Sequence, residues 1–193
     1  LPIFQHPNPK EEIKKLINSV KKNKNSCHII GAYALGKAQR VMNLLRQNNY
    51  SDTIYIHGSL EKLCNYYRSQ KINIGLFEKV VSKDKSFYEG KIIIAPPSAL
   101  KDRWSRRFPN PIISMASGWM TVKQRAKQRG IELPLVISDH SDWNELLDTI
   151  KKSKAKNVLV THGQEDALVY YCKKNNLLSK PLSIQGRSDE EIE

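Results

Sequence analysis

Long hydrophobic runs are missing from this sequence: no apolar stretch approaches the roughly 20 residues that a membrane-crossing helix needs. Cysteine is scarce. Its three copies, Cys27, Cys64 and Cys172, lie far apart, are odd in number and form no Cys-x-x-Cys pair. That argues against a disulfide framework or a zinc ribbon and reads as reduced thiols in a cytoplasmic protein. Gly31 and Gly36 do not make a Gly-x-Gly-x-x-Gly fingerprint, so a nucleotide cofactor finds little support. There is no internal repeat and no low-complexity linker. The first residue is Leu1 rather than Met, with no signal peptide before it, so a fragment or a trimmed chain is expected.

What is present is size and positive charge. The 193 residues, 39% hydrophobic and 26% charged, suffice for one large or two small globular domains. The net charge of +13 is unevenly placed. Residues 1–130 hold 24 Lys and Arg against 8 Asp and Glu, whereas residues 131–193 hold 8 against 11. A division at 130/131 follows, with the first part suited to a polyanion through phosphate contacts and counterion release. The plainer alternative is a lysine-rich solvated surface.

Short β-branched runs alternate with amphipathic stretches, which predicts an α/β fold with a mostly parallel sheet. Leu1–Phe4 reads as a strand remnant. Pro9 opens a helix to about Lys22, with Ile13, Leu16, Ile17 and Val20 on one face. Strands are expected at Cys27–Ile30, Thr53–Ile56, Lys91–Ala95, Ile112–Met115, Leu135–Ser138, Asn157–Thr161 and near Leu182–Ile184. Helices are expected at 34–47, from the cap Ser59 to 69, at 98–107, from 121 to Gly130, at 141–152 and at 164–175. Residues 72–90 give no clear pattern, and the acidic end from Ser188 reads as loose.

Two strands of the second part end in histidine-bearing turns, Ser138-Asp139-His140-Ser141-Asp142-Trp143 and Val160-Thr161-His162-Gly163. In an open α/β sheet ligands bind outside the carboxyl ends of the strands, so matched positions would place both histidines in one cleft. There an imidazole can bind metal or move protons near neutral pH, and Asp139 or Asp142 could orient it. Either histidine alone could equally be a helix cap or a turn residue.

Taken in order, these motifs resemble the last two motifs of the β-CASP group of metallo-β-lactamase nucleases. The segment Gly31-Ala32-Tyr33-Ala34-Leu35-Gly36-Lys37-Ala38-Gln39-Arg40 is similar to the signature at the head of that group's inserted domain. Ala95-Pro96-Pro97-Ser98-Ala99 and Ala116-Ser117-Gly118-Trp119-Met120 narrow the resemblance to bacterial exonucleases associated with an ATP-dependent DNA ligase, also described as messenger-RNA 3′-end processing factor-like. The resemblance runs from Leu1 to about Ile184. It implies a Rossmann-like β-CASP domain over residues 1–130, clamping nucleic acid, and the C-terminal part of a metallo-β-lactamase αββα domain over 131–193. It implies His140 as general acid, with Asp142 beside it among the catalytic residues, and His162 as a ligand of a two-zinc site, with manganese an alternative metal. Two such ions would activate water and stabilise attacking and leaving oxygens. The group's His-x-His-x-Asp-His motif is absent from these residues, and its glutamate motif would lie just before Leu1-Pro2-Ile3-Phe4. The chain alone is therefore expected to bind zinc poorly and not to cleave.

Two basic clusters suit phosphate. Lys101, Arg103, Arg106 and Arg107 surround Trp104, and Lys123, Arg125, Lys127 and Arg129 recur at helical spacing after Trp119. Arginine can hold phosphate with two hydrogen bonds and a neighbouring aromatic can stack on an unpaired base, unless the tryptophans are core residues. Ser98, Ser117 and the amides around Gly118 could hold a phosphate at a strand-to-helix turn. The expected partner is DNA, with a ligase and a helicase working alongside and no membrane. Rival readings are an RNA-processing nuclease, which nothing sensing a 2′-hydroxyl separates, and a non-catalytic nucleic-acid-binding module. A small-molecule α/β hydrolase is disfavoured by the charge.

Overall fold

The computed structural model describes residues 1–162 and 164–182. They form two compact units: His6–His140, and Ser141 onward together with Leu1–Gln5. The charge-based division at 130/131 falls inside the larger unit, ahead of that unit's last strand.

The larger unit is built on β1 (His28–Gly31), β2 (Ile54–Ile56), β3 (Phe77–Lys79), β4 (Ile92–Ala95), β5 (Ile112–Ala116) and β6 (Leu133–Leu135). They make one sheet in the order β3-β2-β4-β1-β5-β6, every pair parallel. This is the expected α/β architecture. Central strands covered on both faces need apolar residues at every position, and β1, β2 and β4 are buried throughout. Alternate residues then serve opposite faces. Ile30, Ile54, Ile56, Ile92 and Ile94 join α1 (Pro9–Lys22), α2 (Lys37–Gln47) and α3 (Glu61–Ser69) in one core. Ile29, Tyr55, Ile93 and Ala95 face a second core with Tyr88, Leu100, Phe108, Met115 and Ala126.

Several elements depart from the sequence reading. Leu1–Phe4 is not a strand but a turn whose Phe4 carbonyl accepts from Trp143 N at 2.9 Å. Ser59 is not the cap of its helix: His57 caps a 3-10 turn, Gly58–Leu60, that leads into α3. The basic segment 98–107 is two 3-10 turns, Pro97–Lys101 and Ser105–Arg107, because Asp102 is extended between them and breaks the helical path. The predicted helix from Thr121 begins as a 3-10 turn, Gly118–Thr121, and only Lys123–Gln128 is α-helical (α4). Strand β6 ends at Leu135, so Ser138 lies in the following loop rather than in the strand.

In the smaller unit, α5 (Trp143–Ser153), β7 (Asn157–Val160), α6 (Asp166–Lys174) and β8 (Leu178–Pro181) form a β–α–β arrangement with two parallel strands. Its last described strand starts earlier than Leu182, and Ser183 and Ile184, like the acidic end, lie outside the described residues. Val160, Val169 and Cys172 are its buried apolar residues among those described. No helix is long and apolar enough to cross a membrane among the described residues.

Candidate functional site

A parallel sheet brings all its carboxyl ends to one edge, and in the larger unit that edge collects the motif residues. After β1 come Tyr33, Gly36 and Lys37; after β4, Pro97 and Ser98; after β5, Ser117 and Gly118; after β6, Ser138, Asp139 and His140.

The loop after β6 is held from below and from the side. Glu12, buried on the apolar face of α1, bonds Lys15 and accepts from Val136 N at 2.9 Å. Lys37, only 3% exposed at the first turn of α2, places Nζ 2.9 Å from Asp139 Oδ1. Gly36 (φ 81°) turns the chain into α2, and Gln39 fixes that turn by accepting from Gly36 N and donating to the Ala34 carbonyl. The same Asp139 oxygen lies 2.8 Å from His140 Nδ1, and His140 N donates to Ser138 Oγ at 3.1 Å. Burial raises the Asp139 pKa, but the Lys37 hydrogen bond, a backbone amide, the lysine charge and His140 together outweigh it. The carboxyl is held below the ordinary aspartate value.

The consequence is chemical. A carboxylate offers only acceptors, so His140 Nδ1 carries the proton and Nε2 remains for an outside partner. With 84% of its side chain exposed, His140 presents Nε2 to solvent from an anchored base. Lys37 anchors Asp139, and Asp139 orients His140.

Beside this loop, Ser117 Oγ accepts from Trp119 N at 3.3 Å. A Cβ on Gly118 would come within 2.8 Å of His6 Nε2 and 3.3 Å of Ser138 Oγ, so a side chain there would have to displace the His6 ring. His57, at the end of β2, stacks edge-on against Trp104 at 4.8 Å. Burial and then Arg107 lower its pKa, against a smaller opposing pull from Asp102.

The basic clusters divide by role. Arg103, Arg106 and Arg107 are exposed; Arg107 donates to the Trp104 carbonyl and lies over its ring at 5.7 Å. Trp104 is half-buried against Phe108, the core role left open for it. Trp119 differs: it is 50% exposed, with the Arg125 guanidinium 3.8 Å from its ring centroid. Lys123 and Lys127 are exposed on α4. Ser98 and Lys101 lie at a cavity together with Arg129 from the end of α4, which the sequence alone did not indicate.

In the smaller unit, Asp142 is a buried cap of α5. It accepts from Glu145 N while Glu145 accepts from Asp142 N, a reciprocal pair that satisfies the helix start. His162 follows β7, exposed, in the left-handed region at φ 67°. Gly163, beside it in the motif, lies outside the described residues. Within either unit taken alone, the described residues bring no three His, Cys, Asp or Glu ligand atoms together. Zinc takes three or four protein ligands, so neither donor set by itself fits a zinc centre.

Sequence reasoning missed Lys37 and Glu12. Glu12 carries a readable signal, an acid one turn before Leu16 on the face of the helix that buries Ile13 and Leu16. Lys37 carries none, since only the pairing of distant segments shows an ammonium under Asp139.

Residues 135–175 match the family described as the Zn-dependent metallo-hydrolase RNA specificity domain. The chain is also 24% identical over 135 residues to a probable DNA ligase of Opitutus terrae, a match covering 70% of this chain and 13% of that protein. The chain thus spans a small part of the curated relative it matches. The segment carrying both His140 and His162 is therefore similar to the RNA specificity domain of zinc-dependent metallo-hydrolases, a domain found in the β-CASP family.

Proposed function

We propose that the chain is part of a metal-dependent nuclease, an exonuclease acting on DNA in repair, in which residues 1–130 grip the strand and His140 supplies the proton to the departing oxygen. The observation that carries this reading is His140 itself: exposed, held through Nδ1 by Asp139, and inside the segment similar to the metallo-hydrolase domain. The excess of Lys and Arg in residues 1–130 supports a polyanionic substrate. The probable DNA ligase named in the comparison supports action alongside a DNA ligase.

His162 would contribute one ligand to a pair of zinc or manganese ions completed by residues other than these. The chain by itself then neither holds zinc tightly nor cleaves. A calorimetric zinc titration showing stoichiometric tight binding, together with turnover of a labelled strand, would overturn this.

In the full-length protein, His140→Ala lowers cleavage about 100-fold or more while strand binding persists, the range for losing a general acid. Unchanged cleavage would favour a non-catalytic binding module. The RNA reading has its own support, because the matched domain is described by RNA specificity. Cleavage of matched RNA and DNA strands by the full-length protein decides between them.

A further inference from the structure

Between the 3-10 turn after β4 and the end of α4 lies a cavity of about 540 Å³. Its residues sort by exposure. Leu100 and Met115 are buried and Ile113 half-buried, forming an apolar floor, whereas Ser98, Lys101 and Arg129 are exposed and form the rim. No acidic residue lines it, and among the described residues neither Lys101 nor Arg129 forms an ion pair. Arg129 Nη1 lies 3.8 Å from Met115 Sδ, tying rim to floor. The two cations come one from each basic cluster, so regions distant in sequence converge on this cavity.

Each feature selects against a different occupant. An apolar floor alone would take a hydrocarbon, and two cations alone would take inorganic phosphate. Together they fit a flat, weakly polar ring joined to an anion, in a space within the roughly 300–1,000 Å³ of small-molecule sites. A thioether such as Met115 makes favourable contacts with aromatic rings, and paired basic groups at the mouth complement a phosphodiester.

We propose that this cavity is a nucleobase subsite: one unpaired base of a single strand seats on Leu100, Ile113 and Met115, and its phosphate lies between Lys101 and Arg129. This deepens the nucleic-acid reading above and rests on it. The subsite distinguishes a strand with accessible bases from a paired or base-free one.

The test uses this chain and two labelled strands of equal length and charge, oligothymidylate and its fully abasic counterpart, compared by fluorescence anisotropy. The base-bearing strand should bind about tenfold more tightly, the effect of one stacked base. Ser98→Trp, an exposed substitution that fills the mouth, should abolish the preference. Lys101→Glu with Arg129→Glu should weaken both strands, with circular dichroism and melting unchanged. Equal wild-type binding to both strands overturns the subsite while leaving the nucleic-acid reading standing. Binding to neither overturns both. A preference that survives Ser98→Trp, or thymidine monophosphate binding as tightly as the strand, also overturns it.

Discussion

The two compact units solve the same problem with unequal means. In the larger unit the sheet is covered on both faces, and Ile29, Ile30, Ile54, Ile56, Ile92, Ile93 and Ile94 are all 0% exposed. Among the described residues of the smaller unit only two strands pair, α5 has no fully buried residue, and Leu178, Tyr170 and Leu159 remain open to solvent. A two-stranded sheet is marginal by itself. The difference teaches where stability resides: the larger unit can hold the loop after β6 rigid, whereas the described residues of the smaller gain little from their own burial.

The largest effect that would sharpen this contrast is Ile94→Ala. Ile94 sits between Ile30 and Ile56 in register, and emptying its site should cost about 2–5 kcal/mol in urea unfolding. Leu159→Ala, on a partly exposed strand position, should cost within about 0.5 kcal/mol. Equal costs would break the comparison.

Next comes acid. His28 is buried with Nε2 2.8 Å from Ser19 Oγ and no hydrogen-bond partner for Nδ1, and desolvation pushes its pKa down to about 4 from 6.5. The unfolded chain takes up a proton near 6.5 while the folded chain resists until about 4. Stability is therefore present above the unfolded value and lost as pH falls through that window. Between pH 7 and pH 5 the larger unit should lose roughly 2 kcal/mol, read by denaturant midpoints, and His28→Gln should flatten that slope. A slope unchanged by the substitution would place the titration elsewhere.

The smallest effect is local. Asp142→Ala removes the α5 cap at a cost of about 1 kcal/mol, seen as faster amide exchange in α5, whereas Asp142→Asn retains the cap. If both variants exchange alike, capping is not what Asp142 contributes.

The fold was largely legible because its signals are periodic. The Ile13, Leu16, Ile17 and Val20 face of α1 and the isoleucine runs of β1 and β4 follow from spacing alone. Failures cluster where no period exists. Residues 98–107 look helical by composition yet break at Asp102, and β3, three residues long and mostly exposed, has too little apolar content to announce itself. At the site, His140 and Asp139 were visible as a motif. Lys37 beneath them was not, since an ion pair across about a hundred residues leaves no local trace.

The placement of β1 has a consequence for how the chain is made. His28 pairs with Ile92 on one side and Ile112 on the other, so both neighbours of the central strand are synthesised long after it. During translation β1 has no permanent partner until β4 and then β5 have emerged, leaving two apolar strand edges open in the interval. Such non-local parallel pairing is intrinsically slow and exposed to aggregation. The ribosome-bound chain therefore passes through a vulnerable window that closes only once Ala116 has been added and freed from the exit tunnel.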